Sequence, residues 1–174
     1  TTPESGSNYC ENFDLKFDRA ADFVLVINGR DNSRLMVQER YEALRSTYSQ
    51  NLKNFDTYLV DNVPDRNSSK FVNIDMILEI FNITEDQQRS KIFNFGEPAF
   101  ETGKLKYGNA NPDSADFDSL ADFAQSGDYI EVKLPWQLLN FSDPSKMEIH
   151  DDYYSGNYGI KFININEMNI GIMT

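Results

Sequence analysis

Apolar and polar side chains alternate over residues 127–134, the segment GDYIEVKL. Successive side chains of a β-strand point to opposite faces, so this alternation predicts a half-buried strand. We expect Ile130, Val132 and Leu134 to share the face that meets a core. Pro135 lacks a backbone donor and ends the strand. The segment WQLLN that follows predicts a single helical turn.

Several other segments carry strand patterns. A compact apolar run at 19–29 ends in the turn signal Asn28 and Gly29, and residues 34–38 provide a hairpin partner. Residues 71–81 predict one long strand, whose core face carries Val72, Ile74, Met76, Leu78 and Ile80. Further short strands are predicted at 57–60 and at two places within 159–173, around Asn166 and Glu167, and residues 91–95 predict a short strand or an irregular segment.

Helical spacing is confined to short segments. Tyr41, Leu44 and Tyr48 predict a short helix over 39–48, and residues 117–125 predict a helical turn started by Ser114 or Asp116.

About seven or eight short strands with few helices predict an all-β fold, a jelly-roll-like β-sandwich with one or two short helices. A distorted barrel is the second choice. A length of 174 residues is that of a single domain, 1–174.

The position of the only tryptophan, Trp136, bears on both fold and function. It continues the even-numbered apolar series across Pro135, so persistence of the strand geometry would point its ring inward. A buried tryptophan contributes a large apolar area, and Leu138 and Leu139 would help to close one end of the sandwich. We therefore predict a core position for Trp136. The alternative is an exposed platform on which a sugar stacks.

The charge and the rare residue types exclude several functions. A net charge of −12, from 28 acidic and 16 basic residues, repels a nucleic-acid backbone or an anionic membrane surface. No apolar run reaches the roughly 18 residues of a membrane span, so we predict no membrane insertion. Cys10 and His150 are each the only residue of their type, which rules out an internal disulfide and a zinc site of Cys and His.

Residues 149–159, IHDDYYSGNYG, concentrate aromatic rings, carboxylates and amides. Rings can stack on the apolar faces of sugars, while carboxylates and amides pair with hydroxyls. A polar loop whose tyrosines pack over the end of the sandwich is the alternative. The candidate ligand-binding residues are Tyr153, Tyr154, Tyr158, Asp151 and Asp152, together with Asn109 and Asn111 from an earlier loop.

That earlier loop spans 96–118, a length typical of functional or disordered segments, and its interior GKLKYGNANP favours function or tight packing. Asp113, Asp116 and Asp118 alternate with other residues as the oxygen donors of calcium loops do. The loop lacks the glycine and the terminal glutamate of an EF-hand. A structural calcium is therefore the candidate cofactor, with Asx turns and helix capping as the alternative use of these residues.

The run ETGKLKYGNANPDSADFDSLADF, followed by GDYIEVKLPWQLLNFSDPS and IHDDYY, resembles C-terminal β-sandwich modules of large, mostly uncharacterised bacterial proteins. This resemblance covers residues 21–174. Residues 131–139 are similar, more generally, to family 9 carbohydrate-binding modules. The resemblance implies a jelly-roll-like sandwich and glycan binding. Such sandwiches carry several strands before the segment with which this chain begins, so a fragment lacking N-terminal strands is an open alternative.

Catalytic motifs are missing from the sequence. It has no G-x-S-x-G elbow, Walker loop or G-x-G-x-x-G, and one histidine leaves few general-base schemes. We predict a non-catalytic, carbohydrate-binding-like accessory module of a larger secreted or cell-surface bacterial protein, with a neutral glycan as its ligand. The alternative is a protein-interaction or domain-packing module that docks on a neighbouring domain of the parent chain and binds no sugar.

Overall fold

The computed structural model describes residues 6–42, 64–77, 99–152 and 161–173. In these residues, short antiparallel strands form several small sheets, with one four-residue α-helix and short 3-10 turns. The predicted all-β class is confirmed, while the jelly-roll order stays a prediction. Within the described part of the chain, no helix is long and apolar enough to cross a membrane.

The strands follow one another in short pieces. They are β1 (Ser7–Cys10), β2 (Leu15–Ala21), β3 (Phe23–Val26), β4 (Arg34–Gln38), β5 (Phe71–Asn73), β6 (Asp75–Ile77), β7 (Ala99–Glu101), β8 (Phe123–Ser126), β9 (Tyr129–Val132), β10 (Phe141–Asp143), β11 (Glu148–His150) and β12 (Phe162–Asn164). Helix α1 covers Gly29–Asn32, and 3-10 turns cover Glu39–Tyr41, Trp136–Leu139 and Pro144–Lys146.

Strand β4 is the centre of the fold and is buried on both faces. It pairs with β3 on one side and with β5 on the other. The predicted hairpin is confirmed for β3 and β4, whereas the start of the run 19–29 belongs to β2, which pairs with β1. Leu35 and Val37 pack in one core cluster with Tyr41 and Ile74. Met36 points the opposite way and packs with Cys10 and Phe71. Burying an aliphatic or aromatic side chain fully contributes about 1.5 to 3 kcal/mol, so β4 anchors both clusters.

Strands β1 and β2 form a hairpin that covers one of these clusters through Leu15 and Phe17. The alternation within β2 places both side chains on the same face. Strand β1 was not predicted, because its sequence, SNYC, contains mainly turn-forming and polar residues. Cys10 is nevertheless fully buried, which raises the pKa of its thiol through desolvation.

The prediction of one continuous strand over 71–81 is wrong within its described part. Strand β5 pairs with β4, whereas β6 pairs with β7, and the chain changes partner at Ile74. The carbonyl of Ile74 accepts hydrogen bonds from the backbone N–H groups of Thr102 at 2.8 Å and Gly103 at 3.0 Å. Because this break interrupts the alternation, Phe71 and Ile74 are both buried, although they have opposite parity. Residues 78–81 lie outside the described chain.

The core position predicted for Trp136 is also wrong, because its side chain is 45 % exposed. Ile130 is likewise exposed, whereas Leu134, Leu138 and Leu139 pack against the core cluster of Leu35 as expected. The predicted helical turn is present as a 3-10 turn after Pro135. That turn breaks the period of two, so the parity of β9 does not extend to Trp136. Its ring instead packs edge-on against Phe141, with centroids 4.8 Å apart.

Two further predicted elements differ from the structure. Residues 123–126 form β8, in place of a helical turn, because Phe123 exchanges backbone hydrogen bonds with Lys106 and Gly108. In the last segment β12 pairs with β11, but residues 165–173 form no second strand. The predicted helix at 39–48 is described only as the turn Glu39–Tyr41. The strands predicted at 57–60 and 91–95 lie outside the described residues.

Candidate functional site

An open cleft of about 310 Å³ lies between the α1 turn and the hairpin formed by β8 and β9. Ligand pockets in proteins begin at about 300 Å³, so this cleft suits one small group or part of a longer ligand. Its walls are formed by Ile27, Arg30, Tyr107, Phe123, Gln125 and Gly127.

The ring of Tyr107 is held on two sides. Phe123, which is buried, meets it edge-on with a centroid distance of 5.3 Å. The guanidinium carbon of Arg30 lies 4.5 Å from the centroid of the same ring. A cation over an aromatic face is attracted by the negative charge of that face. The two contacts therefore place an aromatic ring and a cation together in a defined arrangement.

Backbone pairing positions Tyr107 between two strands. The segment 103–105 runs beside β4, where Leu35 N–H donates to the Gly103 carbonyl at 2.8 Å. Three residues after this segment, Gly108 N–H donates to the Phe123 carbonyl of β8 at 3.0 Å. Tyr107 thus lies between the part of this segment that pairs with β4 and the part that pairs with β8. A side chain at Gly103 would collide with the carbonyl oxygen of Leu35, so this close approach requires glycine.

The turn that carries Arg30 is fixed by the buried side chain of Ser33. Its hydroxyl accepts a hydrogen bond from Asn28 N–H at 2.9 Å and donates one to the Gly29 carbonyl at 2.7 Å. Gly29 has φ +70°, a conformation that glycine adopts at little cost. Ser33 therefore fixes the start of α1 and the backbone position of Arg30.

The opposite wall is the β8–β9 hairpin, which turns through Gly127 and Asp128. Gly127 has φ +58°, as the first central residue of a type II′ turn requires. Gln125 is exposed on β8 and brings an amide to the cleft. An aromatic ring, a cation and an amide are groups that recognise sugars through stacking and paired hydrogen bonds.

Sequence reasoning missed this cleft. Tyr107 belongs to the segment GKLKYGNANP, which was predicted to be functional or tightly packed, but nothing in the sequence connects it with Arg30. The two residues meet only because residues 103–108 pair with strands that are distant along the chain. A tyrosine inside a long loop with glycines nearby was the one local signal.

The structure places Asp152 in the interior. Its carboxylate lies 2.7 Å from Nε of Arg40, and both side chains are almost fully buried. Arg40 also donates to the carbonyl of Pro64 at 3.0 Å, and the Asp151 carboxylate accepts from the N–H of Asp152 at 2.8 Å. The Asp152 carboxylate is therefore engaged within the fold. Tyr153, Tyr154 and Tyr158 lie outside the described residues.

The Arg40 pair belongs to a wider buried polar network. Gln38 Oε1 accepts from the backbone N–H of Arg40, and Tyr41 donates its hydroxyl to the carbonyl of His150 at 2.6 Å. Asn140 donates to the carbonyl of Tyr41 at 3.0 Å. Buried polar groups must be hydrogen-bonded, so this network links β4 to the segment around β11.

The predicted calcium loop is organised by Asx turns. Asn109 Oδ1 accepts from Asn111 N–H, and Asn111 Oδ1 accepts from Asp113 N–H, each at 3.0 Å. Asp118 lies 2.7 Å from Lys106 Nζ and also accepts from Leu120 N–H. The hydrogen bond from Lys106 and then that from Leu120 lower the pKa of the Asp118 carboxyl.

These turns bring Asn109, Asn111 and Asp113 close together. The side-chain oxygens of Asn109 and Asn111, which a metal would need as ligands, accept hydrogen bonds from the backbone instead. Asp113 and Asp116 are exposed. In the described segments, no group of three His, Cys, Asp or Glu side chains is placed to hold a metal ion. Calcium binding here stays a prediction.

No family model, curated protein or solved structure matches the chain. The geometry of the cleft is therefore the basis for a functional assignment.

Proposed function

We propose that this chain is a non-catalytic accessory module that binds a glycan in the cleft beside Tyr107. The observation that carries the proposal is the cleft itself, where Arg30 and Phe123 hold the tyrosine ring next to the amide of Gln125. These are binding groups that combine apolar contact with hydrogen bonding. We further propose that the module belongs to a larger secreted or cell-surface bacterial protein, as the resemblance to carbohydrate-binding modules implies.

Preorganisation supports this proposal. Binding loses free energy when mobile side chains must be ordered, at about 0.5 to 1.5 kcal/mol for each flexible side chain. Arg30 already lies against Tyr107, and the turn beneath Arg30 is tied by Ser33. The cleft therefore presents Arg30 and the ring of Tyr107 in place before a ligand arrives.

A panel of plant, host and bacterial oligosaccharides, titrated into isotopically labelled protein and followed by NMR, tests the proposal. We expect at least one sugar to shift the resonances of Tyr107 and Gln125. Tyr107→Ala and Gln125→Ala should each weaken binding, and the second variant alters only an exposed side chain. Tyr129→Ala is the matched control, because Tyr129 is 82 % exposed and is not part of the cleft wall. Silence across the whole panel would refute glycan binding.

A second candidate function is docking on a neighbouring domain of the parent chain. Four apolar side chains are exposed within six consecutive positions: Met168, Ile170, Ile172 and Met173. Single exposed apolar residues are normal, but a concentration of them marks interaction surfaces. In this proposal the segment adds to the open edge of a partner sheet, with main-chain hydrogen bonds and alternate apolar side chains.

The docking proposal predicts that the isolated chain binds an apolar fluorescent dye through this segment. A variant with Ile170→Ser and Ile172→Ser should bind less dye with unchanged thermal stability, since both side chains are at least 80 % exposed. Equal dye binding by the two proteins would argue against docking through these residues. The same variant should keep its affinity for any sugar bound at Tyr107, which separates the two functions.

A further inference from the structure

We infer that the glycan bound in this cleft carries a carboxylate, as a uronic acid does, and that Arg30 recognises it. This inference rests on the proposed function and names its ligand class more narrowly. It also replaces the neutral glycan that was predicted from the sequence.

The charge of the cleft differs from that of the rest of the protein. Among the residues that line it, Arg30 is the charged one, and the others are aliphatic, aromatic, amide or glycine. The chain as a whole has a net charge of −12. A concave site with one cation and no carboxylate in its walls favours an anion, because fields are focused in clefts.

Two other cations in this part of the chain have carboxylate partners. Lys106 Nζ, one residue from Tyr107, lies 2.7 Å from Asp118, and Nε of Arg34 lies 2.7 Å from Glu101. For Arg30 the described residues provide the ring of Tyr107 and no carboxylate. Its positive charge is therefore available to a ligand.

The geometry of a stacked arginine suits a carboxylate. The guanidinium donates its five N–H groups in the plane of the group, so contact of its face with Tyr107 leaves edge donors for a ligand. An arginine and a carboxylate form two parallel, charge-assisted hydrogen bonds, which are about twice as strong as neutral ones. A sugar hydroxyl offers Arg30 no such pair, so the same cleft should prefer the acid form of a sugar.

The surrounding acidity limits how many carboxylates the ligand can carry. Asp31 and Asp128 directly follow Arg30 and Gly127 in the chain, and both are exposed. They are not among the residues that line the cleft, but their charges oppose the binding of a ligand that carries several carboxylates. The ligand class is therefore an oligosaccharide of low charge that presents one uronic acid to Arg30.

NMR titration with matched sugars tests this inference on the full chain. The ligands are methyl glycosides of glucuronic and galacturonic acid, their neutral methyl esters, and the methyl glycosides of glucose and galactose. We expect each acid that binds to do so at least about tenfold more tightly than its ester, a ratio that added salt should reduce. Arg30→Gln should equalise the acid and the ester. Arg19→Gln is the control, since Arg19 is exposed and contacts Glu167 and Asn169.

The outcomes separate the inference from the function on which it rests. Equal affinity for acid and ester at Tyr107 would overturn the carboxylate preference while glycan binding stands. A preference that persists in Arg30→Gln would overturn the role of Arg30. No resonance shift with any of these sugars or with the oligosaccharide panel would overturn both proposals.

Discussion

Nε of Arg40 lies 2.7 Å from Oδ2 of Asp152, and this ion pair joins two residues separated by 112 positions in the sequence. The side chains are 4 % and 0 % exposed. Two buried charges are tolerated only when they are paired and hydrogen-bonded, because removing each from water is costly. The pair therefore holds the turn after β4 against the residues that follow β11.

Removing one partner should destabilise the protein strongly. Asp152→Ala leaves the Arg40 charge buried without its carboxylate, and breaking such a pair costs about 3 to 5 kcal/mol. Urea denaturation of the variant should show this loss in the free energy of unfolding. Glu167→Ala is the control, because the side chains of Glu167 and its partner Arg19 are 72 % and 74 % exposed and surface pairs are worth at most about 1 kcal/mol. Similar losses in the two variants would contradict a structural role for the buried pair.

Local patterns predicted much of the fold because some strands are defined by neighbouring residues. The β3–β4 hairpin depends on a compact apolar run before a turn signal, and β9 with its following turn depends on an alternating run before a proline. The break at Ile74 depends instead on Thr102 and Gly103, which donate to its carbonyl from a distant segment. The alternation of apolar and polar residues within 71–81 therefore could not predict the break.

The candidate site was harder to predict for the same reason. Asp152 looked like a surface carboxylate in a polar loop, but its partner Arg40 is far away along the chain. Arg30 and Tyr107 each lie in turn-rich sequence, and their contact follows from strand pairing that only the fold provides. The hydrogen bonds of Asn109 and Asn111 could be predicted, because Asx turns join residues that are close in sequence. These turns were the expected alternative to calcium binding.

His150 gives the protein a predicted pH dependence near neutrality. Burial lowers the pKa of its imidazole, and the smaller opposing effect of Glu148 raises it. A lowered folded pKa means that the unfolded chain binds the proton more readily. The contribution of neutral His150 to the free energy of unfolding is therefore fully present above about pH 6.5, the ordinary pKa of histidine. This contribution is lost as the pH falls below that value.

Because His150 is the only histidine, a single NMR titration curve reports on it. We expect a midpoint below about 6.5 in the folded protein. His150→Gln should remove the part of the pH dependence of unfolding that lies just below this value. A midpoint above that of an unfolded control peptide would contradict burial of the imidazole.

Trp136 should contribute less to stability than a buried core residue. Its side chain is 45 % exposed and its main aromatic contact is Phe141. Such a pair is worth about 0.5 to 1.5 kcal/mol beyond the buried area, so Trp136→Ala should cost far less than a core truncation. Phe71→Ala is the comparison, since Phe71 is 1 % exposed and its loss should cost about 3 to 5 kcal/mol. Acrylamide should also quench the tryptophan fluorescence readily; a shielded indole and a cost equal to that of Phe71→Ala would contradict the exposed position.

Gly103 should be intolerant of any side chain. A Cβ at this position meets the carbonyl oxygen of Leu35 and lies 3.2 Å from Cβ of Ile74. Leu35 belongs to the buried strand β4, so its carbonyl cannot move away without disturbing both core clusters. Gly103→Ala should therefore lower the free energy of unfolding by more than about 1 kcal/mol in urea denaturation.

Two other glycines separate the causes of that effect. Gly171→Ala places its Cβ in open space and should leave stability unchanged. Gly127→Ala also has open space, but its φ of +58° is unfavourable for alanine by about 1 to 2 kcal/mol. If Gly103→Ala proved as stable as Gly171→Ala, the close approach of residues 103–105 to β4 would be wrong. The position of Tyr107 in the cleft would then lose its support, because the same segment leads directly to that residue.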